Sequence, residues 1–159
     1  MTANDHQVGG AHYKKNHFQP WDWDKYGVGY YECNVIKYIT RWRDKNGLED
    51  LQKARHYVLK LIEEHKVFGR MNRCASTKVF TYELCDDYQK AWKLDTTESA
   101  IFQTMLRWRD ERLLGQAVGW IQELIDGNPA SNVRATNQVD REPTVAPVAS
   151  VEPGEPDIG

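Results

Sequence analysis

The sequence predicts a mainly α-helical protein, a small domain built on an antiparallel helix pair and followed by a disordered tail. Three observations carry that expectation. Apolar residues recur at helical spacing on both sides of Asn46-Gly47, the word RWRD occurs twice, and five of the six prolines lie beyond Asn128. A period near 3.6 marks one buried helix stripe, and an Asn-Gly break is a natural helix stop.

Taken in order, residues 1–8 read as a flexible N-terminus, and Gln19-Pro20 opens a short turn or helix through Trp23. Proline is tolerated there because the first helical N–H has no intrahelical partner. Val28 to Lys45 is expected as the first long helix. Leu48, Leu51, Ala54, Val58 and Leu61 trace the apolar face of a second, which is expected to end near His65. Phe68 to Thr77 reads as a connector. Lys78 to Tyr82 alternates weakly like a strand, but Leu84, Tyr88 and Trp92 share a helix face, and the helix is preferred. Asp95 with Glu98 three residues on predicts a capping box, and Gly127 predicts the last helix stop.

The tail from Asn128 to Gly159 contains no aromatic residue and no Leu, Lys or Cys, so it cannot bury enough apolar surface to offset ordering. The domain reading is therefore 9–66 for the first helix pair, 67–127 for a second helical segment, and 128–159 for the tail.

The second segment is a candidate degenerate repeat. RWRD stands at Arg41–Asp44 and again at Arg107–Asp110. With a three-residue deletion, Leu51, Ala54, Leu61 and Ile62 align with Leu114, Ala117, Leu124 and Ile125. The same alignment turns Asn34 into Ala100, Lys37 into Gln103, Asp50 into Leu113 and Lys53 into Gln116. The second copy keeps the apolar frame and loses most of the polar positions.

Composition narrows the function classes. The net charge of −2 supplies no global basic field, so nucleic acid is not an expected partner. Three cysteines without CxxC spacing argue for a reducing compartment and against a zinc site. No apolar run reaches membrane-spanning length, and a cytoplasmic protein is expected. The six tryptophans are expected mainly as buried indoles. His56 and His65 have no triad or metal partner in sequence and are expected at the surface.

The polar positions of the first pair form the candidate site. Asn34, Lys37 and Arg41 fall at i, i+3 and i+7, and Asp50, Lys53 and Tyr57 repeat that spacing. Two such stripes facing each other would make a mixed-charge pocket for an anion, although charged helix faces also serve solubility alone. Asn34 is the least ordinary member, because Asn is a poor helix former. Upstream, Gly9-Gly10-Ala11-His12-Tyr13-Lys14-Lys15 has the ingredients of a phosphate cradle, and no GxxxxGK[ST] P-loop occurs anywhere. Glu83/Asp86 and Glu123/Asp126 each place two carboxylates one turn apart, a spacing that all-α nucleotide pyrophosphatases use to hold Mg²⁺. ExxD pairs are also frequent on exposed helices.

GGAHYKK, QPWDW and ECNVIKYITRWRDKNGLEDLQKARHYVLKLIE occur in that order between Gly9 and Glu63. Together they closely resemble the SaV-like family, a small phage-encoded domain with the pattern GGxHY, QPW and GNxxKYxxRxxxKxGxxDLxKAxxYLxxLI. The resemblance covers roughly a third of the chain. Cys33 departs from it, standing where the family has Gly.

The resemblance implies phage origin, and one branch of the family looks like a deoxynucleoside monophosphate kinase that lacks a P-loop. Carried over by position, it implies His12, Tyr13, Asn34, Lys37, Tyr38, Arg41, Asp50 and Lys53 as site residues, with Trp21 or Tyr13 stacking on a base and Gly10 of the phosphate cradle beside them. Lys37, Arg41 and Lys53 would clamp phosphate oxygens, and Asp50 would orient a lysine or hold Mg²⁺. The expectation is a nucleotide-binding transferase acting as a nucleoside monophosphate kinase in the host cytoplasm. A homo-oligomer is expected, because one helix pair offers half a cleft. A non-catalytic nucleotide-binding or host-interaction protein and a Mg²⁺-dependent pyrophosphatase are the alternatives.

Overall fold

A computed structural model describes residues 16, 18–69 and 81–128. Among them the chain forms a short 3-10 helix, Pro20–Tyr26, and five α-helices, with no strand. These are α1 (Tyr30–Arg41), α2 (Leu48–Phe68), α3 (Tyr82–Trp92), α4 (Thr96–Arg107) and α5 (Glu111–Asp126). The all-helical class expected from the sequence is what forms. Residues 9–15, with Gly10, His12 and Tyr13, and the C-terminal tail lie outside the described residues.

Local chemistry explains most boundaries. Pro20 opens the 3-10 helix, whose first turn is tied by Gln19 N–H donating to Asp22 Oδ2 at 2.8 Å. The helix runs past Trp23 to Tyr26 and stops at Gly27, which has φ +78°. α1 is shorter than expected and ends at Arg41, because residues 43–46 are exposed and offer no apolar face to bury. Residues 42–47 reverse the chain in a compact turn closed by Gly47 N–H on the Trp42 carbonyl at 2.8 Å. α2 continues past His65 to Phe68, where Gly69 with φ +63° caps the carbonyls of Glu64 and His65. Thr81 caps α3 by accepting Leu84 N–H at 3.2 Å, so Tyr82 starts a helix, and Lys78–Phe80 lie outside the described residues.

The expected capping box at α4 forms. Asp95 Oδ1 accepts Glu98 N–H at 2.8 Å, and Glu98 Oε2 accepts Asp95 N–H at 2.9 Å. Asp110 caps α5, which ends before Gly127 as expected.

α1 packs against α2, α4 and the 3-10 helix; α2 packs on α5, and α4 on α5. Between them lies a core of Leu51, Leu61, Leu114, Ile121 and Met105, joined by an aromatic cluster. Tyr88 stacks on Phe102 with ring centres 4.9 Å apart, and Trp23 meets both rings edge-on. Thr40 Oγ1 lies 2.9 Å from Tyr88 OH, which satisfies both buried hydroxyls. Of the tryptophans, Trp23 and Trp108 are fully buried, whereas Trp21 stays exposed. His56 is exposed; His65 is half-buried, its ring edge-on to Trp108 at 5.6 Å.

Candidate functional site

The two polar stripes do meet, and they separate into a buried ion pair and an open groove. At the turn between α1 and α2, Arg41 Nε donates to Asp50 Oδ2 and its Nη2 to Asp50 Oδ1, both at 3.0 Å. This is the bidentate fork that suits a guanidinium to a carboxylate. Asp50 is fully buried and Arg41 nearly so. Asn46 adds a third donor to Asp50 Oδ1 at 3.3 Å. In this arrangement Asp50 orients an arginine. The Nε–Nη2 edge of the guanidinium is the one that Asp50 engages.

Three cations surround the ring of Tyr38. Arg41 lies 4.8 Å from its centre, Lys37 4.9 Å and Lys53 6.0 Å. On α2, Tyr57 stacks on Tyr38 at 5.8 Å and contacts Tyr30 and Tyr31. A hydrogen bond with Tyr30, reinforced by burial, pushes the Tyr57 hydroxyl up to about 12. Lys53 also pairs with Glu49 at 2.5 Å, which raises its pKa above the ordinary lysine value.

Lys37 differs. Among the described residues it has no carboxylate within ion-pair distance. Burial, and then the neighbouring Arg41 charge, lower its pKa below that of a free lysine, with Asp50 opposing them. An ammonium held in this state gains from an anion that enters beside it.

A groove of about 390 Å³ runs between the 3-10 helix and α1, lined by Trp21, Asp24, Tyr30, Cys33, Asn34 and Lys37. Trp21 and Tyr30 give it exposed aromatic surface. Asn34 Nδ2 donates to the Tyr30 carbonyl at 2.8 Å, one turn back in its own helix. Only the amide nitrogen can donate there, so Oδ1 remains as an acceptor. Trp21, Asn34 and Lys37 thus share one site, whereas Tyr38, Arg41, Asp50 and Lys53 form the adjoining charged cluster.

Sequence reasoning missed Asp24, Tyr30 and Cys33. Tyr30, Cys33, Asn34 and Lys37 share one helix face at i, i+3, i+4 and i+7, and that signal was present. No pattern marked Asp24. The acidic pairs stand apart from the groove's chemistry: Asp86 binds Lys90 at 2.5 Å, and Asp126 accepts from Gln122 at 2.8 Å. Among the described residues no three His, Cys, Asp or Glu side chains gather to hold a metal ion. No helix among them is long and apolar enough to cross a membrane.

Residues 9–59 match DUF3310, a family of proteins of unknown function. The match covers the first helix pair as far as Leu59 and includes the groove residues Trp21, Asn34 and Lys37, the Arg41–Asp50 ion pair and Lys53 beside them. It falls on the stretch whose motifs suggested the SaV-like resemblance. No curated protein and no solved structure matches the chain.

Proposed function

We propose that this chain is a phage nucleotide-binding protein that phosphorylates nucleoside monophosphates without a P-loop, using the groove between the 3-10 helix and α1. The observation that carries the reading is Lys37, an ammonium with no carboxylate partner among the described residues, in a groove walled by the Trp21 and Tyr30 rings. The groove's volume lies within the range of small-molecule sites, about 300–1,000 Å³. A base stacks on an aromatic wall, Asn34 Oδ1 accepts from the base or sugar, and the phosphate meets Lys37.

Phosphoryl transfer asks a protein mainly for positioning and charge neutralisation. An oxygen of the bound monophosphate attacks the terminal phosphorus of a nucleoside triphosphate, and the nucleoside diphosphate leaves with the electron pair of the broken P–O bond. Lys37 offsets charge on the acceptor phosphate, and Mg²⁺ would arrive with the triphosphate. Arg41, held by Asp50 in the adjoining cluster beside Tyr38, adds positive charge near Lys37 without lining the groove. The resemblance adds His12 and Tyr13 as further phosphate and base contacts, and the paired-glycine segment adds Gly10. Both groove walls come from one chain, so this reading does not require a second subunit.

Purified protein incubated with dTMP or dGMP and a triphosphate donor tests the proposal. Diphosphate formation is expected. Binding without turnover would favour a non-catalytic nucleotide-binding protein, and pyrophosphate released from a triphosphate alone would favour a pyrophosphatase.

A further inference from the structure

α1 and α4 are each 12 residues long, with a buried glutamate at the third position and an arginine at the last. A tryptophan follows each as its C-cap. Those residues make exchanged contacts: Trp42 Nε1 donates to Glu98 Oε1 at 2.5 Å, and Trp108 Nε1 donates to Glu32 Oε1 at 3.1 Å. The partner of the first helix's tryptophan is the second helix's glutamate, and the converse holds. Contacts of this form, i on j and j on i, are the signature of two copies related by a two-fold axis.

The second helices match in packing and burial. α2 and α5 pack on each other, and buried Leu51, Ala54 and Val58 correspond to buried Leu114, Ala117 and Ile121. The N-caps Gly47 and Asp110 stand at matching places before them. A repeated four-letter word arises by chance; a repeated word whose flanking residues bond reciprocally across the helix contact does not follow from chance similarity.

We infer that α4–α5 is a degenerate copy of α1–α2 that occupies, within one chain, the place of a two-fold partner. The face of α1–α2 beneath it is a self-association surface whose occupant is this chain's own second half. The DUF3310 match ends at residue 59, before the second pair begins, so it describes one copy of the unit. Only the first copy keeps Asn34, Lys37, Asp50 and Lys53; the second has Ala100, Gln103, Leu113 and Gln116 at those places. One half carries the polar groove, and the other has become its scaffold.

The symmetry makes a contact prediction that is independent of any ligand. Arg43 Nη2 meets Asp95 Oδ2 at 2.7 Å, and the two-fold relation turns that pair into Arg109 and Gly29. In full-length protein carrying Cys33→Ala, Cys74→Ser and Cys85→Ala, two double variants are made: Arg43→Cys with Asp95→Cys, and Gly29→Cys with Arg109→Cys. A short bis-maleimide should link both pairs at comparable yield, and both products should keep the mass of one chain. Failure of the 29/109 pair to link while 43/95 links would overturn the two-fold relation. Products at twice the chain mass would place the second half on another molecule and overturn the single-chain arrangement. Should Gly29→Cys impair folding, Arg43→Cys with Thr96→Cys against Arg109→Cys with Tyr30→Cys makes the same comparison at exposed positions.

Discussion

Asp50 holds Arg41 through two hydrogen bonds of 3.0 Å at the base of the α1–α2 turn. Both side chains are buried, so each group's desolvation is offset only while the other is present. Removing one partner leaves an uncompensated charge. Arg41→Leu and Asp50→Ala should each cost about 3–5 kcal/mol of stability, and the double variant should cost less than their sum. Urea denaturation of the three variants measures this. Additive costs would mean that the pair is not coupled.

Trp108 and Trp42 give a second, graded prediction. Trp108 is fully buried, and its indole N–H is a charge-assisted donor to Glu32. Trp42 is only half-buried, and Glu98 keeps Arg43 when Trp42 is removed. Trp108→Phe should lose about 1.5–3 kcal/mol for the bond, plus a contribution from the space left. Trp42→Phe should lose less, and comparison of urea midpoints decides the order.

Gly47 and Gly119 should respond to alanine with opposite signs. Gly47 sits at φ +53° and ψ −123°, and a Cβ there would touch nothing within 4 Å. Gly47→Ala therefore costs backbone strain alone, about 1–3 kcal/mol. Gly119 is exposed within α5, and a Cβ there also meets nothing within 4 Å. Gly119→Ala should stabilise by about 0.5–1 kcal/mol through helix propensity. Thermal melts of the two variants should move in opposite directions.

The pH dependence follows from Lys37. Its pKa is lowered from 10.5 in the folded protein, chiefly by burial. Between the folded and unfolded values the unfolded chain binds more protons, so this group makes stability rise with pH across that window. Anion affinity moves the other way. Binding needs the ammonium and should weaken as pH rises, beginning below 10.5. Lys37→Arg should flatten that alkaline limb, since a guanidinium keeps its charge there. Titration calorimetry with a mononucleotide at several alkaline pH values reads the limb directly.

The helix pair was legible because its causes are local. The apolar period, the Asn46-Gly47 break and the Asp95–Glu98 box each act within a few residues. The ends of α1 and α2 were less legible. Exposure of residues 43–46 stops one helix, and a left-handed Gly69 rather than His65 stops the other. The candidate site divides in the same way. Asn34 and Lys37 share a helix face that spacing alone reveals, whereas Asp24 reaches the groove because the 3-10 helix packs beside α1. The pairing of Arg41 with Asp50 also depends on the turn, whose geometry the stripe spacing does not encode.

Lys37 is the residue on which the proposed function rests, and its removal leaves the buried Arg41–Asp50 pair untouched. Titration calorimetry of dTMP and dGMP into the native protein and Lys37→Met is the most direct measurement. The native protein should bind at least one of them saturably. Lys37→Met should bind about ten-fold or more weakly, as expected for a lost charge-assisted hydrogen bond, with no loss in its melting midpoint. Native-level affinity in Lys37→Met, or no binding by the native protein, would contradict the assignment of the groove as a nucleotide site.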